Sequence, residues 1–333
     1  MSTFVVFLKT KLSFVFKKEF SMNQRLIPLL LICCLLLSGC GANPLPHDAE
    51  DTQLRIVTSS YPSYDFARAI VGNTEHLHML TRPGIDPHEY EPTPQNIIDL
   101  ETCDVFLYNG GESDAWVDQL LGSVENPDLV IVRMMDCADL LWEEHEEEEH
   151  HDEAHDHEER PDEHVWLDPE NVMKIAEVIC DTVSELDPAG AETYQKNRDT
   201  FLDALQELDQ TIQEIVDTAA RKTVVFADRF PARYFTEAYG LTCYAAFPGC
   251  SSHTEPDADT VARLIDRIRE EEIPTVFRVP YSSSTLPEII SEETGATIRL
   301  FHSFHNVSQK EYGRVTYLDV MAENAEALKY ALN

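Results

Sequence analysis

Histidines follow several β-rich segments of this sequence, at points where the chain leaves one structural element for the next. Imidazole is the commonest protein ligand for zinc near neutral pH, and carboxylates often complete such a site. In an open α/β sheet, ligands bind outside the carboxyl ends of the strands. Each histidine alone could be an exposed or a core residue, but their joint placement at strand ends indicates a metal site. The five histidines are His88, His164, His253, His302 and His305.

A second group of histidines lies in the run EEHEEEEHHDEAHDHEE, residues 143–159, in which only Ala154 is neither acidic nor histidine. A segment with no apolar anchor cannot pack into a core, and ordering it at each binding event lowers affinity. The run is therefore predicted to be either an accessory site for weakly held metal or a solvated spacer, and not the tight site. Its histidines are His145, His150, His151, His155 and His157.

The elements that must position these residues alternate between short β-rich runs and amphipathic helical stretches. This pattern predicts an α/β fold with parallel sheets covered on both faces. Two such units are separated by about 90 residues, which predicts an N-terminal lobe over 53–186 and a C-terminal lobe over 223–333. The predicted strands lie in 53–59, 76–80, 104–110 and 129–134, and then in 223–227, 242–247, 274–279 and 296–301.

A long helix is predicted between the lobes, over residues 187–222. Asp187 as N-cap, Pro188 at the first helical position and Lys222 near the end suit the two termini. Apolar residues recur at helical spacing between them, and a helix of about 30 residues would be about 45 Å long. A helix of that length could join the two lobes, although a coiled-coil partner helix would show a similar stripe.

The N-terminus reads as a secretory signal. Residues 25–40 place an arginine before a short apolar run and then small residues ending in LSGC. The apolar run is shorter than the roughly 20 residues that span a bilayer as a helix. Residues 1–40 are therefore predicted to be a signal peptide with a lipobox, starting at Met22, in which Cys40 becomes lipid-modified and tethers the protein to a membrane face.

The charge balance excludes one class of partner. With 61 acidic against 25 basic residues the formal net charge is −36, whereas nucleic-acid binding needs a basic surface. Cations are the expected ligands instead. Beyond the signal and the lipobox, Cys243 and Cys250 are close enough to pair, but their spacing does not require it.

Four segments carry a resemblance to a known family. They are 84–121 (GIDPHEYEPTPQNIIDLETCDVFLYNGGESDAWVDQLL), 162–172 (DEHVWLDPENV), 186–197 (LDPAGAETYQKN) and the TEP of 254–256. In content and order they resemble the zinc and manganese substrate-binding proteins of bacterial ABC importers, a cluster that includes the ZnuA-like zinc receptors and lipoproteins once named adhesins. The resemblance implies two pseudo-symmetric lobes, one rigid linker helix, and a metal in the cleft between the lobes.

The resemblance also implies particular ligands, together with departures from the family pattern. It assigns the first ligand to His88, in DPH, and the second to His164. In the C-terminal lobe Ala227 stands where a histidine or glutamate is usual, and Arg278 where an acid is common. His302 stands where the last acidic ligand is usual, so one donor is lacking. Candidates for the missing donor are Asp228, ranked first for its place at a strand end, then His253, His305 or a water.

The expected function follows from this donor set. Three or more imidazoles favour zinc over manganese, which prefers more carboxylate oxygens. The resemblance implies a monomeric extracytoplasmic receptor, lipid-anchored at the cell membrane, that captures Zn²⁺ and delivers it to an ABC permease driven by an ATPase subunit. A manganese receptor and a surface adhesin with a structural metal are the alternatives. No enzyme is expected, because the sequence has no HExxH helix, GxSxG elbow or phosphate-binding glycine loop.

Overall fold

The computed structural model describes residues 53–142, 160–247, 249, 258–283 and 285–333, and Gln53–Asn333 forms one compact unit. The signal segment 1–40 with Cys40, the acidic run 143–159 with its five histidines, and His253 and Cys250 lie outside the described residues.

The strands are β1 (Ile56–Thr58), β2 (Leu77–Met79), β3 (Val105–Tyr108), β4 (Val130–Arg133), β5 (Thr223–Phe226), β6 (Thr242–Ala245), β7 (Thr275–Arg278) and β8 (Thr297–Leu300). The helices are α1 (Tyr61–Val71), α2 (Pro94–Glu101), α3 (Val117–Leu121), α4 (Pro169–Leu186), α5 (Ala191–Asp217), α6 (Arg233–Ala238), α7 (Ala258–Glu270), α8 (Thr285–Thr294) and α9 (Tyr317–Leu332).

The described strands form two four-stranded sheets in which every pairing is parallel. Their orders, β2-β1-β3-β4 and β6-β5-β7-β8, are equivalent, so the second lobe repeats the topology of the first. The α/β prediction is confirmed, and each described strand lies inside its predicted segment. The segments were recognisable because short apolar, β-branched runs bounded by turn residues are typical of buried parallel strands.

One hydrophobic core spans both lobes. Alternate residues of a strand face opposite sides of its sheet, and the inner side of both sheets packs on the same cluster, which also holds residues of α1, α4, α5 and α9. The outer side of each sheet packs on its own smaller cluster. The shared core includes Ile56, Val105 and Leu107 from the first sheet with Val224, Phe226 and Phe277 from the second.

The link between the lobes is a helical hairpin. α4 begins at Pro169 with Asp168 as its N-cap, whose carboxylate accepts the N–H of Glu170 at 2.9 Å. The linker helix α5 then covers residues 191–217, so its first helical residue is three later than the predicted Pro188 and its last is five before the predicted end at 222. Asp187 does not cap this helix. Its carboxylate instead accepts the N–H of Ala189 and the hydroxyl of Tyr194, and these two bonds hold the turn between α4 and α5.

The first and last helices are joined across the whole length of the chain. Asp65 of α1 accepts the N–H of Tyr317, the first residue of α9, at 2.6 Å, and also pairs with Arg68. Tyr61 and Arg68 both donate to the carbonyl of Val315, at 2.7 and 2.9 Å. These buried polar bonds attach the C-terminal helix to the N-terminal lobe. Among the described helices, none has the length and apolar character to cross a membrane.

Candidate metal centre

His88 is presented by a short turn in the connection that follows β2. The 3₁₀ turn Pro87–Glu89 is capped by Asp86, whose Oδ1 accepts the backbone N–H of His88 at 3.1 Å. The His88 side chain is withdrawn from solvent, with 6% of its surface exposed. Proline at the first position fixes the backbone of this turn before any ligand arrives.

His164 is held by a carboxylate two residues before it in the chain. Asp162 Oδ1 accepts the His164 backbone N–H at 2.8 Å and lies 2.7 Å from the ring Nδ1. A carboxylate partner places the imidazole proton on Nδ1, so Nε2 carries the lone pair that can bind a metal. The next residues form the 3₁₀ turn Val165–Leu167, which leads directly into α4 and is fully buried.

Glu163 is fixed by the loop that follows β3. Its Oε2 accepts the N–H of Ser113 at 2.7 Å, and its backbone carbonyl accepts the side-chain amide of Asn109 at 2.8 Å. Gly111 lies against it with φ of +82°, and a Cβ there would be 2.3 Å from Glu163 Cβ. Only glycine combines this left-handed conformation with so close an approach. Asp114 organises the same loop, and burial raises its pKa to about 7.

His305 comes from the C-terminal lobe, in the segment after β8. Phe304, just before it, has φ of +60°, an uncommon conformation for a bulky residue that often marks a functional site. This turn sends the Phe304 ring into the core, 5.3 Å from the ring of Tyr61. The indole N–H of Trp166 donates to the carbonyl of Ser303 at 2.9 Å, which ties the segment to the turn after His164.

The loops that carry His88 and His305 are bonded directly to each other. The side-chain amide of Asn306 donates to the carbonyls of Arg82 and Ile85, at 2.8 and 2.7 Å. The N–H of Gly84 donates to the carbonyl of Val307 at 2.8 Å. The histidine of the C-terminal lobe is therefore positioned by the same loop that leads to His88.

These side chains converge on Glu163 Oε1, which lies 3.5 Å from His88 Nε2 and 3.6 Å from His305 Nε2. One ligand atom from each of the three residues lies within 4.8 Å of the others. With bonds of 2.0–2.1 Å, neighbouring ligand atoms of a tetrahedral zinc are about 3.4 Å apart. The His164 ring is adjacent, its centroid 4.6 Å from that of His305. The arrangement of His88, Glu163 and His305 suits three ligands of a tetrahedral cation, and the His164 ring lies beside them.

The electrostatics of the group favour a bound cation. Burial opposes ionisation of Glu163, but the surrounding imidazoles outweigh it and lower its pKa to about 2. Burial also lowers the pKa of His305 to about 4, so this imidazole is neutral at physiological pH. Within the described part of the chain, Glu163 Oε1 and His305 Nε2 are buried without a hydrogen-bond partner. Such atoms are rare in folded proteins and commonly mark an ion or water site.

His302, which the sequence ranked above His305, is not brought into this group. Its Nδ1 accepts the N–H of Phe304 at 3.0 Å, and its backbone bonds both ways with the Asn324 side chain on α9. The intervening left-handed turn at Phe304 separates its position from that of His305. Burial lowers the pKa of His302 to about 4. In this structure His302 supports the loop and does not line the cluster.

Asp228, the first-ranked candidate for the missing donor, is also elsewhere. It is buried after β5, where it accepts the N–H of Arg229 at 2.7 Å, the N–H of Val279 at 3.0 Å and the hydroxyl of Ser282. These three donors engage both carboxylate oxygens. Asp228 therefore joins the ends of β5 and β7, and is not part of the cluster.

The carboxylate that does line the cluster, Glu163, was absent from the sequence-based ligand set. Two signals could have identified it. It adjoins His164 in a motif rich in ligand types, and the Asn-Gly-Gly of 109–111 indicates a backbone that approaches another group closely. Neither signal states which carboxylate is approached, because that depends on how two distant loops pack.

The chain matches the family model described as zinc-uptake complex component A, periplasmic (ZnuA), over residues 56–331. The high-affinity zinc uptake system protein ZnuA of Bacillus subtilis is 29% identical over 306 residues, covering 90% of this chain and 95% of that protein. The manganese-binding lipoprotein MntA of Halalkalibacterium halodurans is 30% identical over 307 residues, covering 91% and 97%. The zinc-binding lipoprotein AdcA of Streptococcus pneumoniae is 30% identical over 309 residues, or 91% of this chain, which spans only 60% of AdcA.

Solved structures show the same fold. The Zn(II)-bound ZnuA-like domain of Streptococcus pneumoniae AdcA superposes with a TM-score of 0.69 at 28% identity, covering 84% of this chain and 99% of that domain. The metal-dependent lipoprotein YcdH from Bacillus subtilis gives a TM-score of 0.70 at 27% identity, covering 84% and 100%. With a family match across both lobes and the linker helix, the chain belongs to the ZnuA family of metal-uptake components.

Proposed function

We propose that this protein is an extracytoplasmic zinc receptor that captures Zn²⁺ and delivers it to an ABC permease. The observation that carries the proposal is the convergence of His88 and His305 on the buried carboxylate of Glu163 at distances close to those of a tetrahedral zinc site. His164, oriented by Asp162, supplies the fourth donor. The same protein would bind without turnover, since four protein ligands leave no open position for a catalytic water.

Zinc is favoured over manganese by the chemistry of the donors. Manganese sites are usually rich in oxygen ligands, whereas this cluster has a single carboxylate among imidazoles. Relatives named for each metal are similar to this chain, MntA for manganese and AdcA and ZnuA for zinc. Similarity alone therefore does not choose the metal, whereas the proposed ligand set favours zinc. A surface adhesin with a structural metal would use the same centre, but without coupling to uptake.

Membrane attachment and partners complete the proposal. Acylation of Cys40 would tether the receptor to the outer face of the cell membrane, consistent with the lipoprotein names of AdcA and MntA. The permease and its ATPase subunit would be separate chains. The monomeric receptor would present its metal to the permease by diffusion on the membrane surface.

The acidic run 143–159 is proposed to hold zinc loosely close to the tight site. The residues on either side of it are paired, since Trp142 and Pro161 form a β-bridge and the N–H of Asp162 donates to the carbonyl of Leu141 at 2.8 Å. The described residues that flank the run therefore lie beside Asp162, the partner of His164. Many weak ligands in a segment joined to these flanking residues would raise the local zinc concentration.

The proposal is tested by metal content and zinc affinity, measured by competition with a chelator of known affinity. Four proteins are compared: the parent, the His88→Ala/His164→Ala double variant, a deletion of 143–159, and a His76→Ala/His78→Ala control that removes two histidines outside the cluster. The parent, the deletion and the control should each hold one tight zinc. The cluster variant should lose more than about 100-fold in affinity, since even outer partners of ligands are worth about 10- to 100-fold.

Manganese is assayed in parallel. Preferential retention of manganese by the parent would support the manganese receptor. The ligand assignment would be overturned if deletion of 143–159 abolished tight zinc binding while the His88→Ala/His164→Ala variant kept it. In cells grown with limiting zinc, an adhesin would show no loss of uptake on substitution of His88 and His164, whereas a receptor would.

A further inference from the structure

The same local arrangement holds two of the proposed ligands. Asp86 precedes His88 by two residues, and Asp162 precedes His164 by two. In each case the aspartate Oδ1 accepts the backbone N–H of the histidine, at 3.1 and 2.8 Å. Both Asp-x-His turns belong to the N-terminal lobe, although 76 positions separate them in the chain.

The second oxygen of each aspartate faces an arginine from the other lobe. Asp86 Oδ2 lies 3.3 Å from Arg229 Nη1, and Asp162 Oδ2 lies 3.8 Å from Arg233 Nε. Both arginines come from one short segment, since Arg229 lies just after β5 and Arg233 begins α6. Their side chains are partly withdrawn from water, 29% and 19% exposed, so screening by solvent is reduced relative to a surface pair.

Tyr234 strengthens the second of these links. Its hydroxyl donates to the backbone carbonyl of Asp162 at 3.0 Å and accepts the N–H of Leu141 at 3.0 Å. The tyrosine is buried, 2% exposed, and burial raises the pKa of its hydroxyl well above the ordinary range. α6 therefore holds Asp162 through both its backbone and its side chain.

The segment that carries the arginines is itself fixed. Asp228 accepts the N–H of Arg229, the N–H of Val279 and the hydroxyl of Ser282, which ties the segment to the end of β7. A charge pair contributes orientation only when its partner is held by other contacts. Here the contacts that hold the arginine segment, made by Asp228, lie in the C-terminal lobe, whereas His88 and His164 lie in the N-terminal lobe.

We infer that Arg229 and Arg233 are positioning residues, which act through Asp86 and Asp162 to hold His88 and His164 in the geometry that binds zinc. The inference rests on the proposed function, since it assumes that these histidines are ligands. It assigns to the connection after β5 the task of coupling the C-terminal lobe to the metal ligands of the N-terminal lobe. Their proposed role is to act through the two aspartates and not as metal ligands.

Two effects of an arginine have opposite signs, which makes the inference testable. Its positive charge repels Zn²⁺, so a purely electrostatic role predicts tighter binding when the charge is removed. An orienting role predicts weaker zinc binding when the arginine is replaced, because the aspartate and its histidine are then held less firmly. Lysine keeps the charge but lacks the planar fork that fixes a carboxylate, so it separates the two effects.

The experiment compares Arg229→Gln, Arg233→Gln and the corresponding lysine variants in the full chain, purified in detergent. Arg198→Gln is the matched control, because it breaks an arginine–aspartate pair on α5. Zinc affinity is measured by chelator competition, and ligand geometry by the visible absorption of bound Co²⁺. Each glutamine variant should weaken zinc by about 3- to 10-fold, less than loss of a direct outer partner, and should alter the Co²⁺ spectrum. The lysine variants keep the repulsion and lose the fork, so they should bind zinc no more tightly than the glutamine variants. The control should match the parent.

Equal or tighter zinc binding by the glutamine variants would overturn the inference, as would weaker binding with an unchanged Co²⁺ spectrum. If a glutamine variant melts well below the control, a loss of zinc affinity in that variant reflects its lower stability. The lysine variant, which keeps the charge, is then used in its place, with zinc affinity and the Co²⁺ spectrum as the measurements. The double variant His88→Ala/His164→Ala distinguishes failure of the proposed function from failure of the inference about the arginines. If it still binds zinc as tightly as the parent, the proposed function and the inference both fail, whereas failure of the arginine variants alone leaves the receptor intact.

Discussion

Each lobe has a buried carboxylate near the ends of its strands, and the two have opposite roles. Asp228 of the C-terminal lobe accepts three hydrogen bonds, which engage both its oxygens. Glu163 of the N-terminal lobe accepts a bond on Oε2 only, and its Oε1 lies among imidazoles. A carboxylate at a strand end is therefore available to a metal only when the backbone around it leaves one oxygen without a donor.

The sharpest test of this comparison exchanges the charge of each carboxylate for an amide. Glu163→Gln should lower zinc affinity by more than about 100-fold, because it removes the one anionic ligand. Asp228→Asn should lower the affinity by no more than the about 3- to 10-fold expected of Arg229→Gln, because Asp228 only holds the backbone at Arg229. It should also lower the melting temperature by roughly 5 °C, through loss of hydrogen bonds to a buried carboxylate. Chelator competition and thermal unfolding measure the two effects. The opposite pattern would make Asp228 the ligand.

A smaller effect is expected from the glycine that lets Glu163 approach its loop. In Gly111→Ala the new Cβ would lie 2.3 Å from Glu163 Cβ and 2.6 Å from its Oε2, so the carboxylate must shift. Zinc affinity should fall by about 10-fold, comparable to the loss of an outer partner of a ligand. Gly240→Ala is the control, since Gly240 also has positive φ but has nothing within 4 Å of a Cβ. Equal zinc affinity in the two variants would show that the contact at Gly111 does not position Glu163.

The smallest effect concerns acid and the two histidines that follow β8. Burial lowers the pKa of both His302 and His305 to about 4, below the ordinary value of about 6.5. Between these pH values the unfolded chain binds more protons than the folded one, so the free energy of unfolding falls as the pH falls. The chelator-treated protein should therefore melt progressively earlier from about pH 6.5 to 4.

The two histidines should differ once zinc is added. His302→Gln and His305→Gln should each reduce this acid sensitivity in the metal-free protein, but only His305→Gln should weaken zinc binding. Thermal unfolding at a series of pH values, with and without zinc, measures both. A melting temperature that stays constant between pH 6.5 and 4 would contradict the sign of the pKa shifts.

Much of the fold was predictable from the sequence because its signals are local. Alternation of β-rich runs with amphipathic helices located all eight strands of the described chain, and the order of the elements gave two parallel sheets. The start of the linker helix was predicted at the wrong residue, because Asp187 followed by Pro188 suits both an N-cap and a turn. The turn is favoured over the N-cap because the Tyr194 hydroxyl donates to the Asp187 carboxylate, a contact that the local sequence does not indicate.

The metal centre was only partly predictable, because its composition depends on contacts between distant loops. His88 and His164 stand in motifs that were recognised; in the structure His88 Nε2 lies 3.5 Å from Glu163 Oε1 and the His164 ring lies beside that of His305. That they bind the metal stays a prediction. The choice between His302 and His305 depends on the left-handed turn at Phe304, which no glycine or asparagine signals. The role of Glu163 depends on the loop after β3, which lies some 50 residues earlier.

The bonds between α1 and α9 have a consequence for the order in which the chain can fold. Asp65 needs the backbone N–H of Tyr317, 252 residues later, and Tyr61 needs the carbonyl of Val315. Contacts of such separation form late, because a long loop must close before they stabilise anything. The core of the first lobe therefore cannot be completed until the last helix has been synthesised. A chain lacking α9 would leave the Asp65 carboxylate without its Tyr317 donor and the shared core without its last helix, so we expect its first lobe to be less stable than in the whole chain.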